Sequence, residues 1–306
     1  MCNFVRMANT NTENRIIEYH LNRHQPDKPQ LAIHDLNEYI TKHKGHTTKP
    51  HIHSYFQVIW FKQGNGKHFI DLKAHDVTDN TILFVAKNQV HYFDDNTNYQ
   101  GILLHFNETF IVQKDNETDF FLKCNLFNNP YLQPLCPLKK PTAIIFEEYI
   151  AQIKREFNNP DQFGKEELLK SYLKAFLIQI QRVKQACEQT EEQTNTIFDD
   201  KKLQLIKFIN LIDENYTKGL SVSEYAKLLF ISSRTLSDLT NLQLNKTPSQ
   251  IIQERIVLEA QRLLLYSDLN VNQIGYRLGF DDPSYFVKYF KKHTNLSPLG
   301  FRKSVS

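Results

Sequence analysis

Hydrophobic positions change their period twice along the chain. From about Leu31 to Phe110, apolar and β-branched residues come in short runs cut by turn signals. The runs include Ser54 to Phe61, His68-Phe69-Ile70, Thr81 to Val85 and Gly101 to Phe106, with the turn Gln63-Gly64-Asn65-Gly66 after the first. Strands this short and this regularly spaced predict an antiparallel sandwich or barrel, and a small closed β domain usually surrounds a pocket. After Pro141 the period lengthens. Ile144, Ile145, Tyr149 and Ile153 make an imperfect helical stripe, broken by Glu148, that runs to about Phe157. Leu169, Tyr172, Leu173, Phe176, Leu177, Ile180 and Val183 then recur at steps of three and four. Two helices follow from this, separated by the turn Asn158-Asn159-Pro160-Asp161. They are expected to pack on the β domain, to form a dimer seam, or to do both. The polar, acidic stretch from Glu188 to Thr196 reads as an interdomain linker.

Beyond it the pattern is helical and weakly duplicated. Leu220-Ser221-Val222-Ser223-Glu224 corresponds to Leu269-Asn270-Val271-Asn272-Gln273 at an offset of 49, and Thr247-Pro248 to Ser297-Pro298 at an offset of 50. The inserted residue falls in a turn, where length change is best tolerated. Each copy is therefore helix, short turn, helix. Ser221 with Glu224 predicts a capping box, and Asp282-Pro283, Thr247-Pro248 and Ser297-Pro298 each predict an N-cap followed by proline in the first helical turn. Ile252, Ile256, Ala260, Leu263 and Leu264 share one face of a connecting helix from Ile251 to Tyr266, roughly 24 Å long at 1.5 Å per residue.

That arrangement describes two helix-turn-helix modules on one stiff rod. Major-groove exposures on one face of a duplex recur every ~34 Å, so two rigidly joined recognition helices can enter adjacent grooves. In the second copy Phe286, Tyr289 and Phe290 form the expected buried set, leaving Ser284, Tyr285, Lys288, Lys291 and Lys292 outward. In the first, Leu236 and Leu239 are buried and Arg234, Ser237, Asp238 and Asn241 face out. Phosphate contacts fix register and base-edge contacts choose sequence. Lys291, Lys292 and Arg302 are assigned mainly to phosphates, and Arg234, Ser237, Ser284 and Lys288 to the groove.

Charge agrees with this division. Net charge is +3 over 306 residues, but residues 200–306 hold 15 Lys or Arg against 10 Asp or Glu, which leaves a net −2 for the rest. A surplus this small permits a polyanionic partner without demanding one. Histidine is as uneven, since 11 of 12 lie between His20 and His105. With 41% hydrophobic and 23% charged residues, no apolar run long enough to span a membrane and no apolar core of a signal peptide at the N-terminus, a cytoplasmic protein is expected. Cys2, Cys124, Cys136 and Cys187 form no CxxC pair, so neither a disulfide framework nor a cysteine zinc site is suggested.

Taken as one strand, residues 51–61 would point His51, His53 and Gln57 to a single face, the interior of the β domain. His51-Ile52-His53, the Gly64-Asn65-Gly66 turn, the strand Thr81 to Val85 and Gln89-Val90-His91 resemble the cupin-like sensor domain of AraC-type regulators. The run from Asn272 to Pro298 is similar, almost residue for residue, to the signature of the AraC/XylS family. Metal-binding cupins hold an ion with two His of an HxH motif, an acidic residue four positions on, and a later His. The matching positions here are His51, His53, Gln57 and His91, and Gln57 lacks the carboxylate that would hold a hard cation. These four residues are therefore expected to line an effector site, with no metal and no cofactor.

The resulting expectation is an α+β chain of two domains. Residues 1–188 form a cupin-like β-barrel with two following helices, for effector sensing and dimerisation; 189–200 are a linker; 201–306 are an all-α double helix-turn-helix domain. The resemblance implies a sequence-specific, effector-responsive transcription regulator, an activator that contacts RNA polymerase and double-stranded DNA as a homodimer, and not an enzyme. The competing readings are a metal-dependent cupin enzyme using His51, His53 and His91, and a helical module that binds another protein. Asn241 and Leu242 stand where the family often carries lysines, so the second module is expected to supply more of the electrostatic affinity.

Overall fold

A computed structural model describes residues 16–22, 25, 29–95, 98–111, 126–127, 133–160, 162–188 and 200–305. The chain divides into two compact units. The expected linker lies outside the described residues except for Asp200, which opens a helix.

The first unit contains β1 (Ile17–Tyr19), β2 (Leu31–Asp35), α1 (Leu36–Thr47), β3 (His51–His53), β4 (Phe56–Gln63), β5 (Gly66–Ile70), β6 (Lys73–Val77), β7 (Thr81–Val85), β8 (His91–Phe93) and β9 (Gln100–Phe106). Then follow α2 (Glu108–Ile111), β10 (Leu135–Pro137), α3 (Lys140–Asn158) and α4 (Lys165–Glu188). Two five-stranded sheets result, ordered β1-β3-β8-β5-β6 and β10-β7-β4-β9-β2; every pairing is antiparallel except β1 with β3. One core joins their inner faces, with Ile59, Phe61, Leu83, Val85 and Leu103 of the second sheet meeting Ile70, Val77 and Phe93 of the first. A second core lies on the other side of β4, where Phe56, Val58 and Trp60 meet Phe146, Ile150, Ile153, Phe176 and Ile180 of α3 and α4. Covered on both sides, β4 is buried from Phe56 to Phe61 and shows no polar alternation.

The helix pair thus packs on the β sandwich, as one of the two expected roles required. The stripe expected on α3 is out of phase. Ile144 and Ile145 are exposed, and the buried residues are Ala143, Phe146, Ile150, Ile153 and Glu156. Two phases compete where apolar residues are adjacent, and the one that sets Phe146 edge-on to Trp60, at 6.3 Å between centroids, buries more area.

Among its described residues the second unit is all helical: α5 (Asp200–Asn215), a 3₁₀ turn (Tyr216–Lys218), α6 (Val222–Leu228), α7 (Ser233–Leu244), α8 (Pro248–Tyr266), α9 (Val271–Arg277), α10 (Pro283–Thr294) and α11 (Pro298–Val305). Helix α8 touches α5 and α7 of one module and α9, α10 and α11 of the other. The start signals are where local chemistry requires them. Ser221 and Glu224 form a capping box, Thr247 forms one with Gln250, and Asn270 forms a third with Gln273. Asp282 accepts from the Ser284 N–H at 2.8 Å, and Ser297 Oγ from Gly300 at 3.0 Å.

Candidate nucleic-acid interface and imidazole cluster

The duplication is visible in the turns. Phe230 N–H donates to Lys227 and Ile231 N–H to Ala226, each at 3.0 Å; Gly279 and Phe280 make the same bonds, at the same lengths, to Tyr276 and Gly275. Both turns need a left-handed residue, at φ +57° for Phe230 and +85° for Gly279. In the second module a Cβ at Gly279 would stand 1.8 Å from the Thr217 carbonyl oxygen, so only glycine fits. In the first, Phe230 adopts the same region with its side chain in solvent.

Together the recognition helices bury all but one of the expected residues. Leu236 and Leu239 anchor α7, and Phe286 and Phe290 anchor α10. Tyr289 differs from expectation: it is half-buried and lines a cleft of about 500 Å³ together with Tyr225, Phe280 and Tyr285. Ser284, Tyr285, Lys288, Lys291 and Lys292 are all exposed on α10, as are Arg234, Asp238 and Asn241 on α7. Ser237 is half-buried, and its hydroxyl donates to the Ser233 carbonyl at 2.9 Å. Arg302 corrects the assignment to phosphates. Its Nε and one Nη donate to the carbonyl oxygens of Leu264 and Leu269, both at 2.8 Å, which satisfies the end of α8 and ties α11 to it.

The first module is fastened differently. Arg255 of α8 donates to Asp213 of α5 and, at 3.0 Å, to Glu259; Arg262 donates to Glu259 at 3.1 Å. The Arg255 guanidinium also lies over the Tyr216 ring, 4.1 Å from its centroid. Burial works against the Glu259 carboxylate, but Arg262 and Arg255 together hold its pKa below the ordinary value.

In the β unit, residues 51–61 are not one strand. The chain leaves the first sheet after His53 and enters the second at Phe56, with buried Tyr55 at the corner. His51, His53, Gln57 and His91 nevertheless all reach the interior, because β3 and β4 face each other across the sandwich. All four are at most 4% exposed. His91 stands opposite His51 in register, and Gln57 opposite His105.

Two further residues belong to this cluster and were not singled out in the sequence, His68 and His105, both at most 1% exposed. Strand alternation carried the signal, since His68 shares a face with Ile70 and His105 with Leu103. His68 Nε2 lies 3.1 Å from His91 Nδ1, and His91 Nε2 lies 3.1 Å from His53 Nδ1. His51 Nδ1–H donates to the Lys49 carbonyl at 2.7 Å, and the His53 ring stacks on Tyr55. Burial pushes every one of these imidazoles down, His51 to about 4 and His68 to about 3, with His53, His91 and His105 well below the usual value. At neutral pH each ring is therefore uncharged and carries one lone-pair nitrogen.

The AraC-like ligand binding domain model matches residues 38–173, and the helix-turn-helix domain model matches residues 225–304. In this order they are the two domains of AraC-type transcription regulators, which the chain resembles along most of its length. The AraC-type chain is similar to the HTH-type transcriptional activator RhaS of Mannheimia succiniciproducens, at 23% identity over 82% of this chain and 88% of that protein. It is also 23% identical to the HTH-type regulator YfiF of Bacillus subtilis, over 86% of this chain and 81% of that one. Among solved structures, ToxT of Vibrio cholerae aligns with 89% of this chain and 97% of its own, at a TM-score of 0.39 and 14% identity. Both matched domains are those of a DNA-binding regulator, which sets aside the metal-dependent cupin enzyme. Among the described residues no helix is long and apolar enough to cross a membrane.

Proposed function

We propose that this AraC-family chain activates transcription at specific promoters in response to a small effector held inside the β sandwich. The observation that carries the DNA-binding half is the pair of recognition helices. α7 and α10 each bury one apolar stripe, present a polar face, and join a common rod of 19 residues, about 28 Å long at 1.5 Å per residue. Lys288, Ser284 and Arg234 are placed at base edges, with Ser237, Asp238, Asn241 and Tyr285 beside them; Lys291 and Lys292 are placed at phosphates. Activation is supported by the similarity to RhaS, which is named as an activator and matches along most of both chains, and contact with RNA polymerase would be its means.

Residues 1–188 serve sensing and dimerisation, 189–200 link, and 201–306 bind DNA. The exposed Ile144, Ile145 and Ile178 of α3 and α4 support a homodimer through the helix pair. Such a protein works where the DNA is, in the cytoplasm. An effector can shift the response only by binding the DNA-competent state with a different affinity. Genome-wide mapping of bound sites identifies the promoters, and fluorescence anisotropy on one mapped duplex then tests the reading. Affinity should fall steeply as salt rises and should exceed that for random duplex by at least about 10³-fold. Binding that ignores both salt and sequence overturns it.

A further inference from the structure

We infer that the buried imidazole cluster binds a divalent transition-metal ion of the nitrogen-preferring class, such as Zn²⁺ or Ni²⁺, and that this ion is the effector. The inference rests on the sensor reading above and gives its ligand a chemistry.

His51, His53 and His91 bring one nitrogen each to a common point, all within 4.8 Å of one another. The His91 Nε2 to His53 Nδ1 distance is 3.1 Å. Two imidazole nitrogens bound to one tetrahedral ion at about 2.0–2.1 Å stand roughly 3.3 Å apart, so the pair needs to move only tenths of an ångström. The outer nitrogens are already held as ligating histidines require. His51 gives its Nδ1–H to the Lys49 carbonyl, which leaves Nε2 as its lone-pair nitrogen. His91 turns Nδ1 toward His68, leaving Nε2 toward His53. Gln57, the amide that replaces the cupin carboxylate, is buried in the same interior with its Oε1 unpartnered, and it is not among the three converging ligands.

The donor set selects the ion. Three neutral imidazoles, with no carboxylate among them, suit Zn²⁺, Ni²⁺ or Cu²⁺ and disfavour Mg²⁺, Ca²⁺ and Mn²⁺, which need oxygen ligands. Space selects it too. Ring centroids stand 4.3 Å apart for His51 and His91 and 4.5 Å for His53 and His91, so no organic molecule fits between the converging nitrogens. His68 Nδ1 and His105 Nε2 are buried with no hydrogen-bond partner. Polar atoms left so in a sandwich interior call for a partner from outside the chain, such as the water that completes a three-histidine zinc site. An ion would also cross-link β3 to β8, so its binding can differ between two arrangements of the unit.

The test uses the full chain stripped by chelator. Calorimetric titration with Zn²⁺ and Ni²⁺ should show one ion per chain, lost in His53→Gln and His91→Gln and kept in His293→Gln. Because a cluster variant can fail to fold, wild-type protein is also loaded with Co²⁺, whose d–d absorption should report imidazole ligation. Affinity for the mapped promoter duplex should shift by at least about five-fold when the ion is added. No binding to folded wild type, binding that survives both cluster variants, a Co²⁺ spectrum without nitrogen ligation, or binding that leaves DNA affinity unchanged overturns the inference. The metal-free protein is measured on the same duplex. Loss of specific, salt-dependent binding both with and without ion sinks the regulator reading, whereas normal DNA binding with no ion bound sinks this inference alone.

Discussion

The two helix-turn-helix modules repeat one backbone with different chemistry at the turn, at the fastening to the rod and on the outward face. Gly279 turns the second module beneath the Thr217 carbonyl, where the first has Phe230 in open solvent. An ion network, Asp213–Arg255–Glu259–Arg262, secures the first module to α8, while in the second Arg302 grips two backbone carbonyls. Outward lysines crowd α10 and are missing from α7. A duplicated fold tolerates this because each contact needs only to satisfy local donors, acceptors and volume. The first module is consequently the one whose attachment depends on pH, and the second the one whose turn admits a single residue type.

The largest expected effect breaks the comparison at the turn. Gly279→Val combines a left-handed φ, which a β-branched residue rarely adopts, with a Cβ placed on a carbonyl oxygen. It should destabilise the helical unit by about 3 kcal/mol or more. Phe230→Gly at the equivalent position should change stability by less than about 1 kcal/mol, because relieved strain is offset by the entropy of a glycine in the unfolded chain. Paired denaturant melts check this, and equal losses in the two variants would refute the asymmetry.

Glu259 gives the next effect. Glu259→Gln removes the countercharge shared by two largely buried guanidiniums and should cost about 2 kcal/mol at pH 7. The sign with pH follows from its lowered pKa. The carboxylate's contribution is complete above the ordinary carboxylate pKa and is lost as pH falls through the depressed folded value, because the unfolded chain then binds the extra proton. The gap between wild type and Glu259→Gln should therefore close on acidification below about pH 4.5. A gap that stays constant down to pH 3 would show that the network is a packing feature only.

Much of this was legible before the structure. N-caps at Ser221, Thr247 and Asp282 could be read because capping depends on residues two or three positions apart. The apolar stripes of α7 and α10 could be read because 3.6-residue periodicity is local. What failed depended on partners distant in sequence. Arg302 looks like any exposed cation until α11 is seen to end beside Leu264 and Leu269. His68 and His105 belong to the interior only once β5 pairs with β8 and β9 with β4. Ile144 and Ile145 fit a helical stripe as well as Phe146 and Ile150 do, and Trp60 on another element decides between them.

The outward faces give the smaller and final test. Lys288→Ala should relax sequence preference at one position in the half of the operator read by α10, by about 1–2 kcal/mol, and leave the other half unchanged. Lys291→Ala should act otherwise, weakening binding to all duplexes alike and lowering the slope of log K against log salt by about one unit. Asn241→Ala, on the face of α7 that lacks lysines, should leave that slope where it was. The three slopes together decide whether electrostatic affinity is concentrated in the second module. If Asn241→Ala moved the slope as far as Lys291→Ala, phosphate contact would be shared between the modules, and the lysines of α10 would be a solvated face with no privileged role.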